Sequence, residues 1–457
     1  MNRFLIRFFI LAASILALSS QVKATHFAAG DIKVQFVGLD SLDLRYRVTI
    51  NIYYDCRGGA SSFPPTTVQL YYQSVIGGVN TSVPLPVDVA QNLTLSQLCP
   101  LYSAQSSCVN PGSGASASLK PGFLKRVYTA VITLARRPDW NFWIEVGARN
   151  AAITNLVDPQ NNFIVFSRYN NLIRYNNNTA NFTIDPVPIY CINQPSQFLN
   201  SPYDVDGDSI VVSPILSYGQ YGTGITIPNF SYQNTFAYNY SPGFSATNPV
   251  ASAANNPYHV NPGTGTATFT PTLDGAMVVA FEVADYDRCT KQLLSTVSRD
   301  VQIVVNSSAD CNIQIPLLDS IPTNLVNCTL DTLGGAKNIN VCPGQTISFQ
   351  LQAAASVITN LVTLNSNAAQ SCQGSSFIVN NQYSLNPTAT FTWTPTVNDI
   401  GDHIFLGIAA DSTCSNGQIF VVKNSMYVIV RVQASVDAGP DGFVCPEGGK
   451  PWQLNAG

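Results

Sequence analysis

Charge is scarce in this sequence. Asp, Glu, Lys and Arg supply 11% of its 457 residues, against roughly a quarter in an average globular domain. Glu and Lys, the usual formers of solvated helix faces, are few, which argues against a helical protein. Histidine occurs three times, at His26, His259 and His403, far apart in the chain. None of the eleven cysteines forms a C-x-x-C pair, so zinc-ligand spacing is missing. No apolar run reaches the roughly 20 residues that span a bilayer.

The apolar run nearest the start is short. Arg3 and Arg7 precede Phe8 to Leu18, and Val22-Lys23-Ala24 offers a small-residue cleavage site. Residues 1–24 therefore read as a secretory signal peptide. Its removal takes three basic residues and no acid, leaving 19 basic against 26 acidic groups, a formal charge of −7. Phosphate backbones need a basic surface, so nucleic acid is not an expected partner. The mature chain is expected to be secreted or held at the cell surface without a membrane span.

Asn, Ser, Thr, Gly and Pro fill the place of the missing charges, beside 20 Tyr and 23 Phe. Turn formers alternating with β-branched and aromatic residues predict an all-β chain. Leu44, Tyr46, Val48, Ile50 and Ile52 alternate with Arg45, Arg47, Thr49 and Asn51, the pattern of a strand with one buried face. Val127 to Leu134 and Phe142 to Val146 repeat it, with loops such as Asn110 to Ser118 between.

A weak internal repeat follows. TATFTPTLDG (266–275) and TATFTWTPTVNDIG (388–401) each lead into an apolar strand ending near a cysteine, then into RDVQIVV (299–305) or MYVIVRV (426–432). This order predicts two copies of one antiparallel sandwich of immunoglobulin-like type. The expected domains are 25–185, 186–306 and 307–433, with 434–457 as the first strand of a truncated fourth.

In an exported chain the default for cysteine is the disulfide. Spacing offers Cys99–Cys108, Cys191–Cys289, Cys311–Cys328 and Cys342–Cys414, with Cys372 a rival for either member of the last pair. The count is odd. Cys445 stands in the final stretch, where its partner is expected downstream, or else it is a free thiol.

Two constellations carry chemistry. Asp204-Val205-Asp206-Gly207-Asp208 sets alternating carboxylates around a glycine, with Asp285 and Asp287 in a later DYD turn. Such oxygens can converge on Ca²⁺, which takes six to eight ligands from flexible loops. EF-hand spacing fails, because Ile215 stands at the twelfth position. A calcium site between domains is one reading; an Asp/Gly turn without metal is the other. The second constellation is aromatic. Tyr232, Tyr238 and Tyr240 recur with Phe230, Phe236 and Phe244, and Trp140 and Trp143 face opposite sides of a strand. These either stack sugar rings or pack in the core. No nucleophile, base or metal motif surrounds the histidines, and the chain reads as non-enzymatic.

The order YRVTINIYYDCRG (46–58), the LCP…C loop (98–108), PDWNFWIEVGARNAAITNL (138–156), VPIYCINQP (187–195), DVDGDSI (204–210) and NPGTGTATFTPTLDG (261–275) resembles large secreted Bacteroidetes surface proteins. Those proteins carry PKD-like and gliding-motility-associated C-terminal domains. VDAGPDGFVCPEGG resembles the opening of a PKD-type repeat. Arg137 and the Gly147-Ala148 pair stand where many such proteins have cysteines, so that bridge is not expected. The resemblance implies PKD-like sandwiches and type IX secretion through a C-terminal sorting domain beyond residue 457. Five Asp-Ser/Thr tripeptides, at Asp40, Asp208, Asp319, Asp331 and Asp411, are similar to the O-glycosylation acceptor of such proteins.

The function expected is an adhesin-like or structural surface module meeting an extracellular glycan or protein. The alternatives are a carbohydrate-binding component of a polysaccharide-utilising system, or the non-catalytic part of a larger hydrolase.

Overall fold

A computed structural model describes residues 27–40, 43–56, 64–109, 120–147, 149–159, 161–186, 189–219, 237–307, 311, 315–332, 337–411 and 419–433. The signal segment, Tyr232, Cys414, Cys445 and 434–457 lie outside them. The chain is all-β, built from antiparallel β-sandwiches, and among the described residues no helix is long and apolar enough to cross a membrane.

The first unit holds β1 (Phe27–Asp40), β2 (Asp43–Asp55), β3 (Thr67–Ser74), β4 (Val79–Pro86), β5 (Leu93–Leu95), β6 (Phe123–Leu134), β7 (Trp140–Val146) and β8 (Phe163–Tyr169). Next come β9 (Asn181–Phe182), β10 (Ile189–Cys191), β11 (Ser196–Phe198), β12 (Pro202–Tyr203), β13 (Ser209–Pro214), β14 (His259–Val260), β15 (Ala267–Phe269), β16 (Gly275–Tyr286) and β17 (Leu293–Asn306). The third unit holds β18 (Leu317–Leu318), β19 (Thr323–Val326), β20 (Leu330–Asp331), β21 (Asn338–Val341), β22 (Ile347–Ala354), β23 (Val362–Ser366), β24 (Ser376–Asn380), β25 (Thr388–Trp393), β26 (Gly401–Asp411) and β27 (Lys423–Val432).

Alternation decides the strand faces. In β2 the side chains of Leu44, Tyr46, Val48, Ile50 and Ile52 are buried while Arg45 and Arg47 turn outward, because successive residues of a pleated strand point to opposite sides. The buried set meets Phe142 and Ile144 of β7 and Phe163 and Val165 of β8 in one core.

The second and third sandwiches share a topology. β13-β16-β17-β10 in one matches β23-β26-β27-β21 in the other, and β11-β15-β14 matches β22-β25-β24. In both, the first strand of the set lies parallel to the last, Ile189 opposite Val304 and Asn338 opposite Ile429. The two TATFT stretches supply β15 and β25 at equivalent places.

A domain boundary at 185/186 is not what the sheet shows. One edge of β17 pairs with β16 along nearly its whole length. Along the strand, β8 pairs at 295–297, β1 at 299–301 and β10 at 304–306. A 14-residue strand is long enough to serve all three in succession, so residues of both expected domains share one sheet. Ala29 and Tyr53 of the first unit accordingly join the core of the second, beside Phe281 and Val301.

The cysteines also pair otherwise than spacing led us to expect. Cys108 bonds Cys56, not Cys99. Cys191 bonds Cys311, not Cys289. Cys328, Cys342 and Cys372 are free thiols, so neither Cys311–Cys328 nor Cys342–Cys414 forms. Cys99 and Cys289 are each disulfide-bonded as well. Register explains both described bridges. The end of β2 lies opposite the start of β6, with the Cys56 amide donating to Gly122 O at 3.0 Å and the Ser107 amide to Lys120 O at 2.9 Å. That places Cys108 against Cys56. Cys191 stands opposite Asn306, five residues before Cys311.

Candidate metal centre

The DVDGD loop precedes β13, and its first carboxylate organises it. Asp204 Oδ1 accepts from the amides of Asp206 at 2.8 Å and Asp208 at 3.0 Å, a side chain standing in for backbone in a turn. Gly207 takes the left-handed conformation, φ +73°. The result brings carboxylate oxygens of Asp204, Asp206 and Asp208 within 4.8 Å of one another.

Two side chains from the segment after β8 close over the loop. Asn178 binds Asp206 through its amide N–H at 2.6 Å and its side-chain Nδ2 at 2.9 Å. Arg174 grips Asp208 with both terminal nitrogens at 2.8 Å and also reaches Asp287. Asn177 is fully buried and donates Nδ2 to Asp285 Oδ2 at 3.0 Å. Asp285 also accepts the Ser295 hydroxyl.

The electrostatics follow from burying so many acids together. Burial pushes the Asp204 carboxyl well above its ordinary range, and the charges of Asp285, Asp208 and Asp206 add to this. Burial raises Asp206 against the bonds from Asn178. Asp208 is raised to about 6 by burial, opposed by Arg174. Asp285 is raised to about 7, again by burial, against the bonds from Ser295 and Asn177. Asp287 differs: burial is outweighed by Thr290 and Arg174, and its carboxyl is held below the ordinary value. Two buried oxygens have no hydrogen-bond donor, Asp204 Oδ2 and Asn177 Oδ1. Of the five acids named from sequence, Asp204, Asp206 and Asp208 bring their carboxylates together, Asp285 lies near enough for its charge to raise Asp204, and Asp287 is engaged by Arg174 and the turn amides. Sequence reasoning missed Arg174, Asn177 and Asn178; the polar run RYNNNT (174–179) was their only signal.

The loop also touches the third unit. Arg288 Nη2 donates to Gly207 O at 2.6 Å, and Gly207 lies directly against Gly401 at the start of β26. A Cβ on Gly401 would sit 2.7 Å from Gly207 Cα, a backbone atom that cannot swing away. Gly401→Ala is expected to lower stability by about 1–3 kcal/mol, as overpacking does. Thermal unfolding measures it; an unchanged melting temperature would show that the contact yields freely.

Of the proposed sugar-stacking residues, Trp140, Trp143 and Tyr238 are buried and Tyr240 is half-buried. Trp140 is 3% and Trp143 1% exposed. They do lie on opposite faces of β7, but the outer face is covered too: Trp143 packs with Ile164, Phe166, Tyr71, Ile215 and Tyr218. Tyr238 is buried, donates to Asn162 O at 2.7 Å and lies against Arg149. Tyr240 packs against Ile153, Leu156 and Val278. Tyr232 lies outside the described residues. A different concavity, about 330 Å³, opens where the three units meet, bordered by Asp185, Tyr190, Gln197, Phe420, Lys423 and Asn424. His403 is buried with both ring nitrogens facing backbone carbonyls, and His259 is exposed.

Fold and site together define an all-β protein of sandwiches in series with a buried acidic loop near a junction. No family model and no curated protein matches the chain. Among solved structures, the chain is similar to "Rst D1-D2" at 8% identity, over 56% of this chain and 99% of that one, with a TM-score of 0.14. It is also similar to "Drosophila OTK, extracellular domains 3-5" at 8% identity, over 84% and 92%, with a TM-score of 0.15.

Proposed function

We propose that the chain is a non-catalytic, adhesin-like or structural module of an exported protein, presented outside the cytoplasm. The observation that carries this reading is mechanical. A single strand, β17, serves both the first and second sandwiches, and the third is tied to them by Leu98 bridging Phe420 and by Asn261 and Gln197 bonding Tyr427 and Ser425. Disulfides at Cys56–Cys108 and Cys191–Cys311 fit an oxidising compartment. Passage by type IX secretion is the export route that the family resemblance implies. Protease treatment of intact producing cells is the test. The chain should be removed from cells, or found in the medium, and its deletion should reduce attachment to surfaces or partner cells. Full protection inside unbroken cells would overturn the proposal.

The carbohydrate-binding alternative keeps one specific support, the concavity between the units with its Lys423 and Asp185 walls. A glycan array decides it: selective binding abolished by Tyr190→Ala or Lys423→Glu favours this reading, and an array without hits favours the structural one.

A further inference from the structure

The concavity of about 330 Å³ where the three units meet stands near the lower bound of small-ligand pockets. Its two charged walls are unequal. Asp185 is already neutralised: its Oδ1 takes Lys125 Nζ at 2.6 Å and the Tyr53 hydroxyl at 2.7 Å. Lys423, the first residue of β27, has no ion-pair or hydrogen-bond partner for its ammonium among the described residues. Solvent reaches this residue, yet the protein around it holds its ammonium below the ordinary lysine value by desolvation. A cation hemmed in without a carboxylate beside it is stabilised by an anion from outside. The formal charge of −7 on the mature chain does not cancel this, because charges more than about 8 Å away are screened at physiological ionic strength. The remaining polar groups are neutral, and three are unspent. Gln197 and Thr268 stand opposite each other on β11 and β15. Gln197 Oε1 accepts the Ser425 hydroxyl at 2.8 Å, which leaves Nε2 without a partner among the described residues. The Thr268 hydroxyl has none either, and Asn256 donates Nδ2 to Thr270 Oγ1 at 2.9 Å while its Oδ1 stays open.

We propose that this concavity holds one acidic sugar unit, its carboxylate on Lys423 and its hydroxyls on Gln197, Thr268 and Asn256. The match is one of chemical type. A single unpaired cation suits a single carboxylate. An amide N–H, an amide oxygen and a hydroxyl suit sugar hydroxyls, each of which both donates and accepts. Half-buried Tyr190 and exposed Pro195 on the same walls are apolar surfaces against which the C–H face of a ring packs. A neutral sugar would leave Lys423 uncompensated, and a peptide carboxylate would leave the three neutral groups unused. Gln197, Thr268 and Asn256 belong to the second unit and Lys423 to the third, so a bound ring ties the two together. The inference rests on the glycan reading of the concavity and adds the charge of the sugar.

The experiment titrates the whole mature chain by calorimetry with the disaccharides of galacturonate, glucuronate, mannuronate and guluronate, each beside the disaccharide of the matching neutral hexose. At least one acidic disaccharide should bind, and its neutral counterpart should bind at least about tenfold more weakly, the factor carried by a hydrogen bond to a charged group. Lys423→Gln should erase that preference, whereas Lys423→Arg should keep it. Thr268→Val should weaken acidic and neutral sugars alike. Because Lys423 is exposed, these Lys423 variants should fold, which equal melting temperatures would confirm. No binding by any acidic disaccharide overturns the proposal, as does a preference for acid that survives Lys423→Gln. A glutamate peptide bound as tightly as the sugars overturns the assignment to a sugar. Neutral sugars bound equally well and lost in Tyr190→Ala overturn the acidic class but leave the concavity a glycan site. Surface attachment is measured separately, so failure here does not touch the structural reading.

Discussion

Asp300→Ala protein is expected to be less stable than its parent by about 3–5 kcal/mol, the cost of stranding one member of a buried ion pair. Asp300 lies on the polar side of β17, and its side chain is 4% exposed. It takes Arg149 on both oxygens, at 2.8 and 2.7 Å, and the Ser217 hydroxyl at 2.6 Å. Arg149 is fully buried, its guanidinium lying over the rings of Phe163 and Tyr238. Without Asp300 the cation keeps the Ser217 hydroxyl, the Tyr238 hydroxyl and, at 3.4 Å, the Tyr218 carbonyl. Those neutral acceptors cannot replace a carboxylate for a group removed from water. The double variant Arg149→Met, Asp300→Leu should lose much less, because neither charge remains to be buried. Urea unfolding at constant m-value measures both. A loss below about 1 kcal/mol for the single variant would mean that the pair behaves like an exposed one.

The same region shows what sequence does and does not make legible. The period-two run in β2 is readable because a half-buried strand imposes it locally, and its faces fall as the alternation requires. The matched TATFT stretches are readable because equivalent strands of two sandwiches face equivalent packing. The sharing of β17 is not readable. RDVQIVV announces a strand, but nothing near it says that β8 and β1, from more than 120 residues earlier, return to pair with it. The boundary drawn at 185 failed for that reason. The buried pair of Arg149 and Asp300 is illegible for the same reason, since each looks like an ordinary surface charge until the two are brought together. Trp143 makes a similar point. Its face of β7 follows from spacing, whereas its burial depends on Ile215 and Tyr218, some 70 positions later.

At the acidic loop, the D-x-D-G-D spacing foretold the convergence of Asp204, Asp206 and Asp208, because a turn with a left-handed glycine folds alternate side chains inward. Asp285 comes near them through the strand pairing of Ile210 opposite Asp285. The amide of Asn177 that donates to Asp285 and the counter-charge of Arg174 come from a different segment. Only the fold could place them.

The cysteine bridges follow the same logic and give the other large expected effect. Cys191→Ala, Cys311→Ala protein should lose about 2–5 kcal/mol. Cys191 and Cys311 are 120 positions apart in sequence, so the bridge closes a long loop and removes much of the freedom of the unfolded chain. The native state has its own stake. β10 is held to β17 by only three opposed pairs, Ile189–Val304, Tyr190–Val305 and Cys191–Asn306. Cys191 is buried, and it sits at the last of those pairs. Without the bridge β10 has little to stop it fraying from β17, and Tyr190, which packs edge-on against Phe269, would loosen with it. Removing Cys56–Cys108 should cost less, because it closes a loop of 52 positions and the long β2–β6 ladder already holds its surroundings. Thermal and urea unfolding of the two double-alanine proteins, each without added reductant, would rank them. If the Cys56–Cys108 variant proved the weaker protein, loop length would not decide the order, and the packing around Cys108 would have to account for the difference.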